Sequence, residues 1–373
     1  MNKTKRPYLI VPKLIEQPTW GGNYIIKFKG WGGRKDIQEK KVGQSYELFS
    51  RSKLLIKINS TLDPGFCPEI GVADRDSLIS KTGYKKNVDY FELKEVTRLT
   101  NRIPLIKINQ SIGNSFQIHI KESVEDKRWR PKLESCYYLE DGMVTYGIKK
   151  GIDVENYKKA CLLIEEKMKI LSAQIKKNDL TLEQAKSQSK EYIAKINPWQ
   201  FVNVHHVKKD TIGIGLLGVQ HSWEEDKKFP LGLVNLEVQQ DVMDPVSTIR
   251  SFDKGKFKND GSIREIHVED YFKYLDTDPV HNDLKKMTPV RKGERLLTTK
   301  YFSLDIIKPK KISVLRNHES FSHLFIREGS VEVIAEDGII FVSKGHSCFI
   351  PENVLLYKIK PMTKNTVVLK TTI

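Results

Sequence analysis

Cysteine is scarce in this chain of 373 residues, and its placement excludes two kinds of architecture. Cys67, Cys136, Cys161 and Cys348 form no Cys-x-x-Cys pair, so neither a thiolate zinc site nor a disulfide framework is indicated, and a reducing, cytoplasmic setting is expected. Long apolar runs are also missing. No stretch approaches the roughly 20 apolar residues of a membrane helix, and the apolar run after the basic Met1–Pro7 segment is broken by Pro12, Lys13 and Glu16, so no export signal is expected. Gly213-Ile214-Gly215 has no third glycine at nucleotide-binding spacing. The basic residues form no dense block interleaved with aromatics, so neither a nucleic-acid nor a membrane partner is expected.

What is present suits a globular chain of two domains. Hydrophobic residues make up 39% and charged residues 29%, a balance that can bury a core. The formal net charge of +16 would favour anionic ligands such as phosphates without selecting among them.

Short, partly alternating apolar runs from Tyr46 to Ser60 and from Ile103 to Ile120 predict β-strands, with a more helical segment between them at Asp74 to Arg98. Leu-Ile-Lys-Ile-Asn occurs at Leu55–Asn59 and again at Leu105–Asn109, two similar strands without a wider repeat. From Asp153 to Ile196 the period changes. Ala160, Ile164, Met168, Leu171 and Ile175 recur at helical spacing, and Thr181-Leu182-Glu183 opens a second helix, which predicts a hairpin packed on the core. From Leu297 onward about seven short β-like runs predict a small barrel or jelly roll. The domain boundaries read from this pattern are 1–275 with a helical insertion at 152–196, a charged linker at 276–296 containing Pro279 and Pro289, and a β domain at 297–373.

Residues two apart in a strand share a face, so Gln117 and His119 in Ser115-Phe116-Gln117-Ile118-His119-Ile120 project together and can share one ligand. Glu134 follows in a second candidate strand, Leu133–Leu139, and His221 lies much farther along. Taken alone, a Gln-x-His pair carries little information. A strand histidine is more often a hydrogen-bonded structural residue than a ligand, and glutamine is an unusual zinc ligand. His205 and His206, being adjacent, point to opposite faces and are not assigned. Cys136, beside Glu134, reads as a small buried hydrophobe.

The context of the pair is more specific. Pro104-Leu105-Ile106-Lys107-Ile108, then Gln117-Ile118-His119, then Lys132-Leu133-Glu134-Ser135-Cys136-Tyr137-Tyr138-Leu139 is similar in order and spacing to the block by which mannose-6-phosphate isomerases are recognised. Trp20-Gly21-Gly22 and Val42-Gly43-Gln44-Ser45-Tyr46-Glu47-Leu48 precede it. Glu237-Val238-Gln239-Gln240, Thr248-Ile249-Arg250-Ser251-Phe252-Asp253 and Arg264-Glu265-Ile266-His267-Val268-Glu269 follow it in family order. The resemblance implies a mainly β fold of two cupin-like jelly-roll barrels with a helical insertion. It also implies one Zn²⁺ per chain on Gln117, His119, Glu134 and His221, with Lys132 and Arg250 facing a small sugar phosphate. The implied reaction is the interconversion of mannose 6-phosphate and fructose 6-phosphate through an enediol or enediolate. The sequence departs from the family at Ile120, where proline is usual, at Gly218-Val219-Gln220-His221, which lacks the family's Ala-Gly, and in a longer Glu237–Arg250 interval. A cupin-fold sugar-phosphate binding protein without catalysis is the alternative. Lys132 and Arg250 could instead form ordinary surface ion pairs, and the oligomeric state is not legible.

Overall fold

The computed structural model describes residues 4–17, 20–56, 68–71 and 90–373. The chain is mainly β, and it divides into two compact units that do not follow chain order. One contains residues 1–110, 236–241 and 289–373; the other contains 111–235 and 242–288. This grouping differs from the boundaries expected at 275 and 297. In the first unit the amino-terminal strand Tyr8–Val11 pairs antiparallel with Ser347–Ile350 near the carboxyl end, Leu9 opposite Cys348. Strand pairing, rather than proximity in sequence, makes the two ends one body.

That first unit holds an eight-stranded antiparallel sheet in which Tyr8–Val11 lies between Ser347–Ile350 and Lys53–Leu55. It also holds a four-stranded sheet, Ser313–Arg316, Leu356–Pro361, Ser330–Ala335 and Gly338–Ser343. The β density expected after Leu297 is present. Residues 57–60 of the first expected strand run, residues 74–89 of the segment expected to be helical, and Cys67 lie outside the described residues. The described remainder begins as a strand, Tyr90–Glu92, before a single helical turn at Leu93–Val96.

His323 sits fully buried in this unit with neither ring nitrogen hydrogen-bonded, and burial lowers its pKa to about 3. Unfolded, it titrates near 6.5. Between those values the unfolded chain binds more protons, so His323 erodes stability as pH falls from about 6.5 toward 3, by up to about 1.4 kcal/mol per pH unit. His323→Leu removes two unmet polar atoms at similar volume. The variant is expected to match or exceed the parent's urea midpoint at neutral pH and to lose less stability on acidification. Parallel midpoint-versus-pH curves for the two proteins would refute this.

In the second unit, a five-stranded antiparallel sheet runs in the order Val202–Val207, Gly142–Ile148, His221–Glu224, Phe116–Ile118, Ile249–Phe252. The strand pair Glu134–Tyr138 and Ile212–Gly215 also belongs to this unit. The expected helical hairpin is present as Val154–Lys176 and Leu182–Ile196. Its apolar stripe, including Tyr157, Cys161, Ile164, Met168 and Leu171, shares one core with Phe116, Ile118, Ile120 and Phe252 of the sheet. The hairpin therefore covers the sheet face bearing Phe116 and Ile118, which leaves Gln117 to face the other way.

The second helix begins with a capping box. Gln184 N–H donates to Thr181 Oγ1 at 3.2 Å and Thr181 N–H donates to Gln184 Oε1 at 2.9 Å. Thr181→Ala leaves a helix-end donor without its side-chain acceptor and should cost about 1 kcal/mol. Chemical denaturation should read this as a lower midpoint at unchanged slope.

Candidate metal centre

Register assembles the site. Gln117 lies directly opposite His221 on one neighbouring strand and opposite Arg250 on the other, and His221 lies opposite Tyr146. Directly opposed residues share a face, so Tyr146, His221, Gln117 and Arg250 form one row across four strands. A bulge between Arg250 and Phe252 puts Phe252 opposite Phe116, turning that ring toward the hairpin while Arg250 stays with Gln117. His119 follows the end of its strand on the Gln117 side. Glu134 comes from Glu134–Tyr138, where it opposes Gly215.

The four expected ligands converge. His119 Nε2 is 3.2 Å from Glu134 Oε2, His221 Nε2 is 3.1 Å from Glu134 Oε1, and Gln117 Nε2 is 3.2 Å from His221 Nε2. All four side chains are buried. Among the described residues, His119, Glu134 and His221 are the His/Cys/Asp/Glu group with spacing suited to a metal, their ligand atoms all within 4.8 Å of one another.

Backbone carbonyls fix the imidazoles. His119 Nδ1–H donates to the Ser247 carbonyl at 2.6 Å and His221 Nδ1–H donates to the Val219 carbonyl at 3.0 Å. Each ring is thereby held as the Nδ1–H tautomer, with an Nε2 lone pair aimed at the Glu134 carboxylate. The Gln117 amide N–H meets the lone pair of His221, whereas His119 Nε2 is buried without any hydrogen-bond partner. A lone pair facing a carboxylate oxygen at this distance is repulsive unless a cation lies between them. The donor set of two imidazoles, one carboxylate and one amide oxygen, available after a flip of the Gln117 side chain, fits a divalent cation of the zinc class.

The protonation states agree with this fit. Burial, then the Lys132 charge, lowers the His119 pKa to about 4, so its imidazole is neutral at physiological pH. Burial alone would raise Glu134, but the Lys132 ammonium opposes it and helps hold the carboxylate well below the usual range. Lys132 Nζ lies 3.1 Å from Glu134 Oε2 and 3.1 Å from Asp244 Oδ1, so Lys132 is buried beside the cluster rather than in a surface pair. The Arg250 guanidinium donates from Nη1 to the Thr248 carbonyl at 3.1 Å, while its Nε is buried without a partner. Donors remain for a ligand.

Sequence reasoning missed Asp244, 112 residues from Lys132, and Tyr146, which joins the row only through register. No local pattern announces either residue. A cleft of about 610 Å³ between the first hairpin helix and residues 252–266 touches none of the six expected site residues, because it opens on the hairpin side of the sheet. A hollow of about 30 Å³ does adjoin Glu134 and His221. Size alone would misplace the centre.

No protein-family model matches the sequence, and no curated protein matches it. Solved structures do. The mannose 6-phosphate isomerase of Bacillus subtilis aligns over 98% of this chain and 99% of its own, with a TM-score of 0.62 at 16% identity. A putative mannosephosphate isomerase from Archaeoglobus fulgidus aligns over 99% of both chains, with a TM-score of 0.62 at 14% identity. A zinc-bound mannose 6-phosphate isomerase aligns over 98% of both chains, with a TM-score of 0.62 at 11% identity. The chain shares the fold of these proteins over 98–99% of its length.

Proposed function

We propose that the chain is a divergent mannose-6-phosphate isomerase that binds one zinc ion on Gln117, His119, Glu134 and His221 and interconverts mannose 6-phosphate with fructose 6-phosphate. The observation that carries the reading is the convergence of two tautomer-locked imidazoles on a buried carboxylate flanked by a lysine, with an arginine aligned across the sheet. The shared fold supports it.

Aldose-ketose isomerisation moves a proton between C2 and C1 through an enediol or enediolate, and negative charge builds on two neighbouring oxygens. When bound, the divalent cation supplies Lewis-acid stabilisation of that charge. The protein's own groups do the rest. Glu134 contributes the anionic ligand, and Lys132 helps keep it ionised. Arg250, with unused N–H donors, is suited to binding the enediolate oxygens without giving up its own proton. The walls of the unit hold these groups away from water, where their charges act more strongly.

Metal analysis of the purified protein, combined with a coupled assay for fructose 6-phosphate formed from mannose 6-phosphate, tests this reading. About one equivalent of divalent metal and steady turnover are expected. Metal without turnover on this substrate would refute the isomerase and favour a sugar-phosphate binding protein.

A further inference from the structure

Arg250 is held by His267, which lies outside the metal cluster. Its backbone N–H lies 3.3 Å from His267 Nδ1, and its carbonyl accepts the His267 backbone N–H at 2.6 Å. His267 thus pairs with both backbone polar groups of Arg250. The first contact requires His267 Nδ1 to be an unprotonated acceptor, with the proton on Nε2, 3.7 Å from Glu265 Oε1. Trp129 packs edge-to-face on the ring at a centroid distance of 4.8 Å and is itself anchored by Nε1–H donating to Asp270 at 2.8 Å. The imidazole is nearly buried, with side-chain exposure of 6%.

We propose that His267 is a positioning residue for Arg250, holding the strand that presents the guanidinium through the neutral Nε2–H imidazole, and that protonation of Nδ1 releases this hold. The proposal rests on the isomerase reading of Arg250. A protonated Nδ1 would set one N–H against another, and the 250 backbone would shift. Displacement of a charged group by an ångström is enough to cost an enzyme on the order of tenfold to a hundredfold in rate.

The surroundings bias the ring toward its neutral form. Burial is the largest influence, and the cations Arg128 and Arg250 act in the same direction, opposed by Glu265 and Asp270. The release is therefore expected below the ordinary histidine range.

Two measurements on the full-length, metal-loaded protein decide the matter. Long-range ¹H–¹⁵N correlation spectra should find His267 with Nδ1 unprotonated and Nε2 protonated, and the Arg250 amide signal should move as His267 titrates. Two variants then separate the acceptor from the side chain. In His267→Asn the amide oxygen reaches the Nδ1 position; in His267→Gln it reaches the Nε2 position. The asparagine variant should retain most of kcat and lose the acid limb that His267 contributes. The glutamine variant should lose kcat by about tenfold to a hundredfold, and both should keep wild-type metal content. A protonated Nδ1 at neutral pH, or equal kcat and an unchanged acid limb in both variants, would overturn the proposal. If the wild-type protein shows no isomerase turnover, the functional reading fails, and the tautomer with the coupled Arg250 shift still decides whether His267 holds that residue.

Discussion

Glutamine in place of Glu134 is expected to abolish stoichiometric zinc binding and to lower isomerase activity by at least about a thousandfold. The substitution preserves shape and removes the only anion in the ligand set. His119 and His221 would still present their lone pairs, because the carbonyls of Ser247 and Val219 that orient them are untouched. Lys132 would keep Asp244 as a partner. What is lost is the charge that offsets the cation. The repulsion that makes the metal-free cluster unfavourable is lost as well, since an amide N–H can donate to the otherwise unpartnered His119 Nε2. The variant should therefore lose metal without losing its fold. Thermal denaturation with and without zinc gives the cleanest comparison. A ligand at about 100 times its Kd stabilises the native state by about 2.7 kcal/mol, so the wild type should shift upward in Tm on zinc addition while Glu134→Gln should not. Retention of full metal content by the variant would remove Glu134 from the site.

Arg250→Lys should lower kcat by about a hundredfold while leaving metal content and the zinc-dependent Tm shift at wild-type values. Arginine presents a planar fork whose several donors reach two adjacent oxygens, which a lysine ammonium at the end of a flexible stem does not reproduce. Here the fork is only partly committed, with Nη1 on the Thr248 carbonyl and Nε unpartnered. The loss is expected to fall mainly on kcat, because the interaction strengthens as charge develops on the enediolate. A variant with unchanged kcat and a raised KM would instead place Arg250 on the phosphate or another unreacting part of the substrate.

These expectations rest on features of very different visibility in the sequence. The alternation through Phe116–Ile118 was legible. The two side chains with metal affinity, Gln117 and His119, fall on one parity, and the core residues Phe116, Ile118 and Ile120 fall on the other. Helical spacing and the Thr181 cap likewise marked the hairpin, because an α-helix satisfies its own hydrogen bonds locally and shows its period in the chain. The segment before Leu93 was less legible: Tyr90–Glu92 forms an edge strand against Lys53–Leu55, a pairing its own residues do not announce.

The sequence by itself placed Gln117 and His119 on one strand face, and the family resemblance named them, with Glu134 and His221, as the ligand set, the last in a loop that departs from the usual pattern. The tertiary structure decided that His221 lies opposite Gln117 across 104 residues, that Arg250 lies on Gln117's other side, and that Asp244 and His267 support the lysine and the arginine. It also decided that the first 110 residues group with the last 85 rather than with the segment that follows them. The physical reason is the same in each case. Side-chain alternation is written along one strand, whereas strands are joined by backbone N–H and C=O groups that every residue carries, so register and partner are settled only when the sheets close over their shared cores.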